Sequence, residues 1–235
     1  MSVDYNNQLH DDGRERGLSS ARTVARMVYE VFRPDSVLDV GCGFGYWLRA
    51  FQDLGAKRVA GIDGDYIDRS KLEIDPACFH PMDINQPIRP LGSFDLAMTI
   101  EVAEHLQPST SDRFVDYLCA ASKVVLFSAG IPGQPGHRHI NARWPYDWAA
   151  RFARRGYTAL DFIRPRIWHD ESMMLCHRQN LHLYVHESLL VRPEVQALPR
   201  MNCLTLVDFD TLQELLGVRA SLRRILGRLT GRGRD

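Results

Sequence analysis

Residues 37–45 read VLDVGCGFG. Four strand-forming residues, of which only Asp39 is polar, run straight into glycines at 41, 43 and 45, and a helix-forming stretch begins at Tyr46. Glycine at alternate positions lets a chain turn sharply through positive φ and lets a ligand approach the backbone closely. The helix behind the turn offers unpaired N–H groups at its start. Strand, glycine turn and helix in this order form the nucleotide-binding unit of an open, doubly wound α/β sheet. A dinucleotide fingerprint wants Gly-x-Gly-x-x-Gly; here the third glycine arrives one residue early and position 46 is Tyr. Asp63 closes the next strand, RVAGID, where a carboxylate accepts both hydroxyls of a ribose. That role is common to several cofactors, so Asp63 points to a ribose without naming its owner.

The rest of the chain repeats the pattern. A helix capped by Ser19 or Ser20 is expected to reach Phe32, followed by a strand at 36–40 and a helix at 46–54 closed by Gly55. Strands are expected at 58–62, 94–100 and 123–128, a helix at 144–155, and late strands at 157–163 and 181–186. Strands alternating with helices give βαβ units and a mainly parallel sheet. Residues 1–18 read as a flexible segment, 19–217 as one domain, and 218–235 as a basic helix or tail, with helical character setting in from Asp208.

Composition closes off several function classes. The formal net charge is zero, which gives no long-range pull toward nucleic acid or an anionic membrane. Lys57, Lys71 and Lys123 are the only lysines among 29 Lys and Arg residues, and base composition accounts for such a bias. Five scattered cysteines with no C-x-x-C pair argue for free thiols in a reducing compartment. No apolar run approaches the ~20 residues needed to cross a bilayer, and a cytoplasmic location is expected.

A third carboxylate, Asp83, follows a candidate third strand or loop with Ile84 beside it. Alone it reads as a solvated turn residue. In order behind the glycine turn and Asp63, it suits an adenine amino group, with Ile84 covering the ring. VLDVGCGFG, GIDG at 61–64, Met82-Asp83, and FDL…IEVAEHL ending at Leu106 together resemble the four successive motifs of class I S-adenosylmethionine-dependent methyltransferases. The resemblance implies a Rossmann-like seven-stranded sheet with helices on both faces and an antiparallel last strand. It assigns Asp39, Gly41, Gly43 and Gly45 to the methionine end of S-adenosylmethionine, Asp63 and Gly64 to the ribose, and Asp83 and Ile84 to the adenine.

Glu101, Glu104 and His105 have the i, i+3, i+4 spacing that puts three side chains on one helical face. Three such groups suit a divalent ion, and the stretch is similar to one in ubiquinone-biosynthesis O-methyltransferases. Many small-molecule methyltransferases with such a stretch need no metal, so the favoured role for Glu101 is to orient the methionine end, with His105 a pocket histidine.

Residues 131–145, IPGQPGHRHINARWP, form the least ordinary stretch, hanging behind the 123–128 strand. His137 and His139 offer neutral imidazoles suited to take a proton from a hydroxyl, with His105 a further candidate base. Gln134, Asn141 and Arg143 offer hydrogen bonds to a polar acceptor, and Trp144 and Trp148 offer rings to stack on it. A Pro/Gly-rich loop also uses His and Asn to satisfy its own backbone. The run is similar to loops of methyltransferases from glycan and natural-product pathways, and of secondary metabolism generally.

The expected activity is therefore O-methylation of a small polar metabolite, such as a sugar or a glycosylated natural product. N- or C-methylation of a small molecule stands as an alternative. So does a non-catalytic S-adenosylmethionine-binding scaffold, in which the interleaved Arg and Leu residues from Arg219 onward dock a partner. A dinucleotide-dependent oxidoreductase is disfavoured by the glycine spacing and the lack of a Tyr-x-x-x-Lys pair. No nucleic-acid partner is expected.

Overall fold

The computed structural model describes residues 14–200, 206–208 and 211–212. Helix α1 (Arg14–Phe32) buries Ala21, Val24, Ala25 and Val28, the i, i+3, i+4, i+7 stripe that an amphipathic helix turns to a core. It begins earlier than Ser19 or Ser20 would have capped it, so residues 14–18 are helical rather than loose. Both hydroxyls serve tertiary contacts instead. Ser20 Oγ accepts the Met174 N–H at 3.2 Å, and Ser19 Oγ pairs with Ser172 Oγ at 3.3 Å.

Seven strands follow: β1 (Ser36–Val40), β2 (Arg58–Asp63), β3 (Phe79–Pro81), β4 (Leu96–Ile100), β5 (Val124–Ser128), β6 (Tyr157–Leu160) and β7 (His182–His186). Their order in the sheet is β3-β2-β1-β4-β5-β7-β6. The first five run parallel, and β7 lies antiparallel between β5 and β6. Alternate strand residues feed opposite cores. Val37, Leu96, Met98 and Leu126 pack toward α1 and α2 (Tyr46–Asp53). Leu38, Val40, Ala97, Val125 and Phe127 pack toward α3 (Ser111–Ala121) and α4 (Pro145–Ala153). Both faces are covered, which explains why the strands read as nearly continuous apolar runs.

The sheet reverses its winding between β1 and β4. In open α/β sheets the crevice outside the strand carboxyl ends at such a switch point is where ligands bind. The loops leaving β1 and β4 are the Gly41–Gly45 turn and the stretch from Glu101, so both motif groups meet there.

Some boundaries move. The strand expected over 157–163 ends at Leu160, because Asp161 turns to hold the fully buried Arg164 in a two-pronged ion pair, 2.9 Å at each contact. Arg164 opens a short helix, α5 (Arg164–Ile167), and α6 (Leu175–Asn180) precedes β7. A last short helix, α7 (Pro193–Gln196), follows. The described cysteines, Cys42, Cys78, Cys119 and Cys176, are free thiols; Cys203, residues 1–13 and the basic tail at 218–235 lie outside the described residues. Among the described residues no helix is long and apolar enough to cross a membrane.

His177 on α6 gives a stability prediction. Its ring is buried edge-on against Trp47, 5.4 Å between centroids, and burial pushes its pKa from 6.5 down to about 4. Between those values the unfolded chain binds a proton that the folded chain refuses, so stability falls as pH drops from about 6.5 and the loss stops growing below about 4. The expected loss is roughly 3 kcal/mol, from ~1.4 kcal/mol per pKa unit. Denaturant unfolding of His177→Phe across this window should show a flatter profile; an unchanged slope would assign the acid sensitivity elsewhere.

Candidate active site

The glycine turn has the geometry its composition demands. Gly41, Gly43 and Gly45 sit at φ +88°, +53° and +84°. A Cβ on Gly41 would overlap the methyl groups of Val102, the residue after Glu101 in the loop leaving β4. Close packing of these two loops is therefore conditional on glycine. Gly41 N–H donates to Ile62 C=O at 2.7 Å, tying the turn to β2. Gly45 sits at the N-cap of α2.

Asp63, buried at the end of β2, organises the cradle. One carboxylate oxygen accepts the Gly43 N–H at 2.8 Å. The other accepts the Gly64 N–H and the Tyr66 hydroxyl, each at 2.7 Å. The Tyr66 phenol thus takes up one acceptor position of the Asp63 carboxylate, a contact with no signal in the sequence motif. Burial, and next the charge of Asp63, pushes the Tyr66 pKa up. Asp39 on β1 is 1% exposed and its Oδ1 has no hydrogen-bond partner. Burial pushes its carboxyl well up, with the Asp63 charge adding to the effect.

Asp83 lies just past β3, exposed, with Oδ1 accepting the Asn85 N–H at 2.9 Å in an Asx turn. Ile84 beside it packs half-buried on the α3/α4-side core. Met82 N–H donates to Asp63 C=O at 2.8 Å, which brings the Asp83 loop alongside the cradle.

The helical face expected for Glu101, Glu104 and His105 does not form. Glu101 adopts φ +54°, and only Ala103–His105 make a single 3-10 turn. Glu101 is held by the Ser128 hydroxyl and carbonyl, which both accept its N–H. Its carboxylate accepts from Asn180 Nδ2 at 3.1 Å and Gln134 Nε2 at 3.0 Å, and Asn180 also donates to Gln134 Oε1 at 2.8 Å. A left-handed non-glycine residue costs of order 1–3 kcal/mol and persists only where surroundings overdetermine it. Glu101 is such a case. Asn180 enters from α6, so no local spacing could have pointed to it.

The loop after β5 returns over Glu104. Asn141 N–H donates to Glu104 C=O at 2.9 Å, and Asn141 Nδ2 donates to Ala103 C=O and Ser111 Oγ at 2.9 and 3.0 Å. Asn141 is 4% exposed and fully engaged, with Arg143 Nε donating to its Oδ1 at 2.8 Å. It pins the loop and does not face an acceptor. Trp148 is likewise corrected: it is 2% exposed and packs on Phe127 at 5.2 Å in the core, closed to any ligand ring. Arg143 and Trp144 remain half-buried at the loop's end.

The pinned loop brings His139 against His105, with ring centroids 5.0 Å apart. Glu104, His105 and His139 each offer a ligand-type atom, and these atoms lie within 4.8 Å of one another. Desolvation, and then the neighbouring His139, pushes the His105 pKa below its ordinary value, so its ring is neutral at pH 7. His137 lies half-buried in the same loop.

Residues 13–164 match the family model described as a methyltransferase domain. The chain belongs to this methyltransferase family. Its fold is that of the class I S-adenosylmethionine-dependent enzymes. DesVI from Streptomyces venezuelae superposes with a TM-score of 0.58 at 14% identity, over 79% of this chain and 99% of that one. The sugar N-methyltransferase KedS8 from Streptoalloteichus gives 0.58 at 16% identity, over 76% of this chain and 92% of that one. A tRNA U34 carboxymethyltransferase of Shewanella loihica is 28% identical over 174 residues, covering 66% of this chain and 52% of the relative. The chain spans about half the length of that relative, or less in the others of its kind. The residues of this methyltransferase's cradle fit the cofactor: a buried Asp39 oxygen without a hydrogen-bond partner lies on the strand leading into three glycines at positive φ, and Asp63 offers a carboxylate of the kind that would accept ribose hydroxyls.

Proposed function

We propose that this chain is an S-adenosylmethionine-dependent O-methyltransferase acting on a small polar acceptor, with the hydroxyls of a sugar or glycosylated molecule favoured. The observation that carries the reading is the neutral imidazole of His105, paired with His139 at the switch point and set beside the glycine turn through Val102. S-adenosylmethionine supplies an electrophilic methyl on a sulfonium that leaves as a neutral thioether. Asp39, Gly41, Gly43 and Gly45 would hold the methionine end, Asp63 and Gly64 the ribose, and Asp83 and Ile84 the adenine edge. Glu101, fixed by Gln134 and Asn180, would orient the methionine end against the acceptor. Positioning of this kind contributes roughly 7–11 kcal/mol. His139 and His105 would accept the hydroxyl proton, with His137 in reach through the same loop, while Arg143 and Trp144 border the acceptor.

Sugar-active KedS8 shares the fold, which supports the acceptor class while leaving the choice of O or N to the imidazoles. A second reading, transfer to tRNA, is favoured by the Shewanella relatives alone; the zero net charge weighs against it. The test is calorimetric titration with S-adenosylmethionine, S-adenosylhomocysteine and NAD, followed by methyl transfer to panels of sugars, amino-sugars and bulk tRNA. Micromolar binding of the two sulfur compounds and methylated sugar hydroxyls is expected. Binding of NAD alone, or transfer to tRNA or amines alone, would overturn the proposal.

A further inference from the structure

We infer that Glu104, His105 and His139 form a divalent-cation site of this chain, which would hold a first-row transition ion with positions open for two neighbouring oxygens of the acceptor. The inference rests on the acceptor site proposed above and deepens it. A bound cation would take over from a free imidazole the work of making the acceptor hydroxyl nucleophilic.

Four observations point to the ion. The three ligand atoms lie within 4.8 Å of one another although their residues come from two separate loops. Ligands held at about 2.0–2.2 Å from a common ion stand roughly 3–4 Å apart, so a contraction of about 1 Å completes the set. The half-exposed loop carrying His139 can provide it.

Glu104 is the second. The residue is 1% exposed and Oε2 has no hydrogen-bond partner. A buried acceptor left empty costs about 1–3 kcal/mol. The half-buried Glu101 carboxylate is near enough for its charge to act on Glu104, and two neighbouring carboxylates call for a positive charge between or beside them. No Lys or Arg among the described residues forms an ion pair with either.

The imidazoles supply the third. His139 Nδ1 is buried and unpartnered. The His105 ring stands edge-on to it, with centroids 5.0 Å apart, so the two imidazoles offer their nitrogens to one place. Fourth, the site is built around missing side chains. A Cβ on Gly130 would press on Glu104 Oε1 and His139 Nδ1 at 3.1 and 3.2 Å, and one on Gly136 would overlap the His139 ring.

Two imidazoles and one carboxylate select for Mn²⁺, Fe²⁺, Co²⁺ or Zn²⁺ over Mg²⁺ or Ca²⁺, which take oxygen donors. Three protein ligands leave coordination positions open. A bound acceptor offering two adjacent oxygens, such as the vicinal hydroxyls of a sugar, fills them.

The experiment is a Co²⁺ titration of EDTA-treated, dialysed full-length protein, read by visible absorption and by calorimetry. One Co²⁺ per chain with micromolar or tighter affinity is expected. Glu104→Gln and His139→Ala should each weaken it at least 100-fold, with circular dichroism unchanged. Absence of a stoichiometric Co²⁺ band in the wild-type protein, or a band that survives both substitutions, overturns the site. S-adenosylhomocysteine titrated into the same samples separates the two readings: a cation site without cofactor binding would sink the methyltransferase proposal alone, and cofactor binding without a cation would sink this one alone.

Discussion

Asp63→Ala lowers affinity for S-adenosylmethionine and S-adenosylhomocysteine by about 10²–10⁴-fold, since two charged hydrogen bonds at ~1.5–3 kcal/mol each are removed. The carboxylate is already engaged before any ligand arrives. Its oxygens take the Gly43 and Gly64 N–H groups at 2.8 and 2.7 Å and the Tyr66 hydroxyl at 2.7 Å. Alanine would therefore strip the buried turn of an acceptor as well as the ribose of its partner, and a fall in melting temperature should accompany the lost affinity. Tyr66→Phe separates the two effects. It leaves both backbone contacts in place and deletes only the hydroxyl that takes up one acceptor position of the carboxylate, so cofactor affinity should be held or rise severalfold. Calorimetry on the three proteins checks this. Retained micromolar affinity in Asp63→Ala would remove Asp63 from the ribose site.

His139→Ala should reduce turnover by about 10²–10⁴-fold, the usual range for loss of an acid–base group. Cofactor affinity should stay within about twofold. The ring touches His105 and the edges of Gly130 and Gly136 and contributes nothing to the β1–β2 cradle, so its loss is local. The drop is expected whether His139 takes the proton itself or holds a cation that makes the hydroxyl acidic. Rescue by added imidazole would favour the first role, and no rescue with lost Co²⁺ binding the second. A variant that turns over normally would free His139 from the site altogether.

Those two residues also mark where the sequence was sufficient and where it was not. The place of Asp63 was legible because it is set by neighbours in the chain. A strand of six residues ends at it, and the glycine turn lies one βα unit earlier in a register that β1–β2 pairing dictates, Asp39 opposite Gly61 and Val40 opposite Ile62. Parallel pairing, glycine φ values and the strand period of two are local properties, and local patterns predict them. The seven-stranded, mainly parallel sheet with an antiparallel last strand came from the motif resemblance and was met, β7 being the antiparallel strand.

The acceptor side was a different matter. An i, i+3, i+4 spacing predicts a shared face only if the backbone is helical, and the Ser128 contacts hold Glu101 at φ +54° instead. Its partners, Gln134 and Asn180, lie far off in sequence. Asn141 and Trp148 carried the right chemistry for a substrate contact but were consumed by packing, one as the pin of a loop and the other in the core. The sequence alone determined where the glycine turn and Asp63 stand, because neighbours along the chain set that geometry. The tertiary structure alone decided which histidine faces Glu104, because loop closure over the sheet edge depends on hydrogen bonds between segments that no local period relates.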